Sequence, residues 1–247
     1  MNLGIAPYKY FSKDILVFED KLTNKEIFTF SKFADGEWAI ITGESINNGE
    51  FLYDNRNELF IKARNELVNA FQYSNPNYYI GISCPCCQGI DVHNFMKIVS
   101  GRHEKFVTWA NLWVNSNYSY FLERIMPIFN SYEVVLVANE ESKISKLPFE
   151  VSKFFPVKNN AWVDSREQID AIKNYLGKDK LKGKLILLCC GPFGNILAHQ
   201  LTEHNKHNTY LDIGSTLNEY MQSYGFRRTY LTKYKDMKEP CIWGDPQ

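Results

Sequence analysis

Two short segments, far apart in the chain, hold residue types that suit chemistry on a phosphorylated substrate. Asp35 and Glu37 stand one residue apart on Gly36, directly after an apolar run. Near the other end, Gly191-Pro192-Phe193-Gly194 follows a strand-like run, and Asp212, Gly214 and Ser215 close the next one. A metal-chelated nucleotide needs oxygen ligands for a hard cation and backbone N–H groups for its phosphates. The two segments offer both, which points to an enzyme acting on a nucleotide-linked substrate.

Each feature also has a plainer use. Acidic residues at a helix start are favoured by capping and by the helix dipole. A glycine-containing turn is what any tight strand-to-helix connection requires. Gly191 and Gly194 flank a turn whose helix begins near Pro192, so free N–H groups there suit a diphosphate. Asp212 ends a strand beside Gly214, at the kind of edge where open α/β sheets bind ligands. A helix cap is its alternative role.

The elements that must position these residues follow from the apolar pattern. Strands are predicted at Ile15–Phe18, Ile27–Phe30, Tyr78–Ile82, Phe106–Trp109, Val134–Ala138, Phe154–Val157, Leu185–Cys189 and Thr209–Ile213. Several are unbroken runs of β-branched and aromatic residues, as in strands buried on both faces. Helices are predicted at Asp35–Thr42, Arg56–Phe71, Asp91–Val99, Tyr118–Phe129, Ser165–Tyr175, Phe193–His204 and Thr216–Tyr224. In the second, Leu59, Phe60, Ala63, Leu67, Ala70 and Phe71 recur at helical spacing. Such alternation implies an α/β architecture: one Rossmann-like domain over residues 1–247, with a mostly parallel sheet and helices on both faces. Residues 139–147 and the tail from Lys233 read as loops.

The segment Ser31-Lys-Phe-Ala-Asp-Gly-Glu-Trp38 resembles the Ser-Arg-Phe-Gly-Asp-Gly-Glu stretch of the GT-D-type glycosyltransferases. These are a small α/β class of sugar transferases with an Asp-x-Glu motif for metal and nucleotide-sugar. Gly191-Pro-Phe-Gly-Asn-Ile-Leu-Ala198 resembles the family's Gly-Pro turn and helix. Leu211-Asp-Ile-Gly-Ser-Thr-Leu-Asn-Glu219-Tyr220 resembles its Asp-Ile-Gly and Glu-Tyr stretch. All three segments keep the family's order and separation. The resemblance implies a hexosyltransferase taking a nucleotide diphosphate sugar, UDP-linked, to a hydroxyl on a glycan or glycoconjugate. It implies Mn2+ or Mg2+ at Asp35 and Glu37. Donor contacts would come from Lys32, Phe33, Asp35, Gly36, Glu37, Gly191, Pro192, Gly194, Asp212, Gly214 and Ser215.

The chain departs from that pattern in places. Lys32 and Ala34 stand where the family has arginine and glycine, and lysine lacks bidentate geometry toward phosphate. Ser215 replaces a usual histidine, and Leu217 an acidic residue. From about Ser83 to Trp162 nothing matches. Glu219 is the first candidate for the base that deprotonates the acceptor hydroxyl, with Asp212 behind it. The aromatic and amide run around Asn111, Trp113 and Asn115 suits an acceptor groove, although the same alternation fits a half-buried strand end. Trp109 reads as core.

Charge and composition exclude other classes. Of 247 residues, 28 are Lys or Arg and 28 are Asp or Glu, so no basic excess marks a nucleic-acid coat. The start lacks a signal peptide's pattern and no apolar stretch is long enough to span a membrane, so a cytoplasmic enzyme is expected. The cysteines at 84, 86, 87, 189, 190 and 241 lack paired zinc-ligand spacing, and reduced, mostly buried thiols are expected. His93 and His103 have no partner at ligand spacing, and Arg227-Arg228 suits either a phosphate or an ordinary surface. One rival is an S-adenosylmethionine-dependent methyltransferase, for which Leu211-Asp-Ile-Gly fits but the following glycine is absent. Another is a nucleotide-sugar binding module without turnover.

Overall fold

The computed structural model describes residues 11–222. Among them the strands are β1 (Thr29–Lys32), β2 (Ile46–Asn47), β3 (Leu52–Tyr53), β4 (Tyr78–Ile82), β5 (Val107–Trp109), β6 (Val134–Asn139), β7 (Val151–Val157), β8 (Leu185–Cys189) and β9 (Thr209–Asp212). The α-helices are α1 (Phe11–Thr23), α2 (Asp35–Thr42), α3 (Glu58–Gln72), α4 (Pro85–Gln88), α5 (Ile90–Ser100), α6 (Tyr118–Tyr120), α7 (Ala161–Asp164), α8 (Glu167–Leu176), α9 (Pro192–His204) and α10 (Asn218–Met221).

Seven strands form one sheet in the order β5-β4-β1-β9-β8-β6-β7, and every pairing in it is parallel. Parallel strands need crossovers that cover both faces, and alternate side chains show that cover directly. Leu185 and Leu187 of β8 face a core built with α1 and residues 118–149. Ile186 and Leu188 face a second core built with α2, α3, α5, α8 and α9. Strand order reverses around β1, whose neighbours are β4 on one side and β9 on the other. In open α/β sheets this reversal opens a crevice at the carboxyl ends of the strands.

Three predicted elements differ in the structure. Ile15–Phe18 belongs to helix α1, not to a strand. Ile15, Phe18 and Leu22 are buried, whereas Leu16 is 53% and Val17 49% exposed, so a run of four apolar residues conceals a helical stripe. The helix expected over Tyr118–Phe129 is broken. A single α turn passes into π-helical Phe121–Ile125 and then 3-10 Met126–Ser131, with Pro127 near the start of the last piece. Proline lacks the N–H that a continuing helix would use. The final helix is shorter than expected, and Tyr224, Arg227, Arg228, Cys241 and the tail from Lys233 lie outside the described residues. The antiparallel β2–β3 hairpin was not expected, although Asn48-Gly49 is a turn signal.

Asn205 locks the far end of this frame. Its Nδ2 donates to the carbonyls of Leu176, Gly177 and Leu181, and its Oδ1 accepts from the His207 N–H. One side chain thus joins the ends of α8 and α9 to the approach of β9. Asn205→Ala strands these buried groups, and a loss of roughly 2–4 kcal/mol is expected at about 1 kcal/mol or more per bond. Urea unfolding checks this, and an unchanged midpoint would contradict it.

Candidate active site

A cleft of about 330 Å³ opens over the carboxyl ends of β1, β9 and β8. The sheet order makes these three strands neighbours, although β1 and β9 are separated by some 180 residues of chain. The cleft is lined by Lys32, Asp35, Gly36, Glu37, Gly191, Pro192, Asp212, Gly214 and Ser215, which brings together nine of the eleven expected donor positions.

Asp212 lies at the centre of the seam and is buried. Its Oδ2 accepts the Lys32 N–H at 3.0 Å and its Oδ1 the Gly214 N–H at 3.2 Å. Gly194 stands behind it, where an added Cβ would come 3.3 Å from Oδ1. The first turn of α9 therefore approaches the carboxylate because position 194 lacks a side chain. Asn195, one residue on, ties α9 to β1 by donating to Ser31 Oγ and to the Lys32 carbonyl. Gly214 has φ +53, a left-handed backbone that favours glycine.

Glu37 is also buried, and its Oε2 accepts the Ala34 N–H at 3.0 Å. It is the returning half of a capping box at a cap residue with no side-chain oxygen of its own. Asp35 is exposed on the rim. The acidic pair thus divides its work, with Glu37 capping α2 from below and Asp35 open to a ligand.

Burial pushes the Asp212 carboxyl up to about 7, against the attraction of Lys32 and its backbone hydrogen bonds. Burial also raises Glu37, again opposed by Lys32. The Cys189 and Cys190 thiols line the same cleft and are raised by burial and by Asp212, so both are held protonated. The lining carries four acidic residues (Asp35, Glu37, Glu50, Asp212) against two basic ones (Lys32, Lys158). Among the described residues no three His, Cys, Asp or Glu side chains converge enough to hold a metal ion by themselves.

No protein-family model matches the chain, and no curated protein does. Solved structures do. One is described as the highly conserved domain of unknown function 1792 with a distinct glycosyltransferase fold, at TM-score 0.54 and 18% identity, covering 83% of this chain and 78% of that one. Another, a new glycosyltransferase of that domain type from Streptococcus sanguinis, superposes at TM-score 0.53 and 18% identity, covering 83% and 81%. The chain has a glycosyltransferase fold.

Within that fold several expected site residues lie elsewhere. Phe33 is buried in the core, its ring 4.8 Å from that of Phe71, and it does not line the cleft. Trp113 is fully packed against Phe18 and Phe30 at 5.9 and 5.6 Å, so it is core and not a groove for sugar. Asn111 donates to Cys87 Sγ, and Asn115 holds a left-handed backbone with φ +56; neither borders the cleft. Glu219, in the first turn of α10, is not among the lining residues, whereas its neighbour Asn218 is. His93 stacks on buried Trp109 and bonds the Ser83 carbonyl, a structural role.

Other lining residues carried no sequence signal of function. Asn48, Glu50 and Phe51 come from the hairpin, Asn139 from the end of β6, Lys158 and Asn160 from the turn after β7, and Trp162 from α7. Asn160 is marked in hindsight by a backbone φ of +54, a region asparagine tolerates better than most residues.

Asp212 makes stability depend on pH. A folded-state value raised from 3.8 to about 7 means that the native state binds the proton more tightly than the unfolded chain. Its contribution is therefore fully present below pH 4 and is lost as pH rises through 7. Asp212→Asn should flatten the fall in stability between pH 4 and 7, with the residual slope owed in part to Glu37. Urea titrations at several pH values test this, and an unaltered slope would mean that Asp212 ionises freely in the native state.

Proposed function

We propose that this chain is a glycosyltransferase that moves a sugar from a nucleotide diphosphate sugar, UDP-linked, to a hydroxyl of a glycan or glycoconjugate, with Mn2+ or Mg2+. One observation carries the proposal. The carboxyl ends of β1, β8 and β9 gather Lys32, Asp35, Glu37, Asp212 and the start of the 13-residue helix α9 into one cleft, in a glycosyltransferase fold.

The charge balance supports a cation as partner of the donor. Burial disfavours the ionised forms of Glu37 and Asp212, yet Asp35 and Glu50 still offset Lys32 and Lys158, so the cleft has no surplus of positive charge for a bare diphosphate. A divalent ion held by Asp35 and Glu37, and completed by phosphate oxygens, would neutralise the leaving diphosphate. Lys32 adds positive charge at the same end, and the positive end of the α9 dipole suits phosphate oxygens. Donor and acceptor bind together here, and the acceptor hydroxyl must lose a proton. Asp212 is the better base of the two candidates, because it lines the cleft and its proton affinity sits near neutrality.

Calorimetry with UDP, with and without Mn2+, tests the donor assignment. Binding should require the cation, and Asp35→Asn should weaken it without lowering the melting temperature. Cation-independent binding, or unchanged affinity in the variant, would contradict the acidic pair's role. Stabilisation by S-adenosylmethionine instead would favour a methyltransferase. Under saturating donor, Asp212→Asn should lower transfer by roughly 10²–10⁴-fold, the contribution of a positioned base. Glu219→Gln should then transfer at nearly the normal rate; the reverse pattern would return the base role to Glu219.

A further inference from the structure

Phe51 occupies the notch where two helix starts meet. A Cβ added to Gly36 in α2 would stand 2.6 Å from Phe51 Cζ, and one added to Gly191 at the cap of α9 would stand 3.3 Å from Cδ1. One buried ring therefore touches both glycines. What approaches these glycines closely is a side chain of the protein itself.

The hairpin bearing that ring is fastened by Asn160, by Trp162, whose Nε1 donates to the Leu52 carbonyl at 3.2 Å, and by buried Tyr53, whose ring packs with those of Phe60 and Trp162. Asn160 Oδ1 accepts the Leu52 N–H at 2.9 Å and Trp162 Nε1 at 2.8 Å, and the Asn160 N–H donates to the Glu50 carbonyl at 3.1 Å. Strands β2 and β3 contribute two residues each, so their own pairing is slight. At the root, Gly43 has φ +86 and its carbonyl accepts from Asn55 Nδ2, which leaves a glycine pivot under a short arm. The same arm carries Glu50, a carboxylate facing the cleft.

We infer that the β2–β3 hairpin is a gate on the cleft, with Phe51 as its plug and Asn160 as its clasp. A phenyl ring offers no acceptor to the N–H groups at either helix start, whereas phosphate oxygens do. Glu50 adds like charge against a diphosphate while the gate is shut. Opening frees the notch, and the apparent affinity for a diphosphate is lowered by the fraction of molecules that are closed. The gate rests on the nucleotide-sugar assignment above.

Calorimetry with inorganic pyrophosphate and Mg2+, on wild type, Phe51→Ala and Asn160→Gly, tests it. Asn160→Gly removes the clasp acceptor yet accepts the left-handed backbone, so it decides the matter if Phe51→Ala unfolds. Both variants should bind about tenfold more tightly if about a tenth of wild-type molecules are open. Added pyrophosphate should also speed hydrogen exchange at the Leu52 and Asn160 amides of wild type. Equal or weaker binding by the folded variants, with wild type binding, would make Phe51 a fixed wall and overturn the gate alone. No binding by any of the three proteins would overturn the phosphate assignment together with the gate.

Discussion

The buried carboxylate of Asp212, accepting one N–H from the end of β1 and another from its own turn, is the contact around which the site is arranged. Those bonds fix the ends of two strands that meet only because β9 inserts beside β1 in the sheet. They also hold a carboxylate out of water, which is costly unless hydrogen bonds and a nearby cation compensate. Lys32 supplies that cation in part, and burial still outweighs it. Gly194 lets the first turn of α9 come close to that carboxylate, and Gly214 supplies the left-handed turn that follows it. The residues that would bind a donor are thus also the residues that close the seam of the sheet.

The electrostatics have a consequence for ligand choice. Under the proposed function, Asp35 and Glu50 on the wall favour a donor that brings a divalent ion with it. Glu37 illustrates the overlap of structure and chemistry, since one of its oxygens caps α2. Its partner Asp35, exposed at the rim, has no such duty and is the cleaner probe of cation binding. Phe51 and Asn160 complete the picture from the opposite wall, where a thin hairpin is held by bonds to Asn160 and Trp162 and by the buried ring of Tyr53.

Much of this frame was legible in the sequence. Strand Leu185–Cys189 and helix Asp35–Thr42 have the predicted bounds, because each is a clear apolar run or a capped turn. Helix α1 was misread because four consecutive apolar residues look alike in either period, and only burial separates Ile15 and Phe18 from Leu16 and Val17. Along the chain Trp113 stood out for its polar neighbours, yet its ring packs with Phe18 and Phe30, which no spacing rule connects to it. The half of the cleft built on β1, β8 and β9 was visible because its residues sit at strand ends. The opposite wall, with Asn139, Asn160 and Trp162, depends on sheet order and on a hairpin of two-residue strands, and neither leaves a periodic trace.

The most direct test of the central claim is the location of a bound nucleotide. In isotope-labelled protein, titration with UDP and Mg2+ should shift the amide resonances of Gly36, Gly191, Phe193 and Gly214 first and most strongly. These groups surround the carboxyl ends of β1, β8 and β9. Shifts confined to another surface, such as the shallow polar hollow between α3, α8 and α9 around Glu66, Lys173 and His199, would contradict the account.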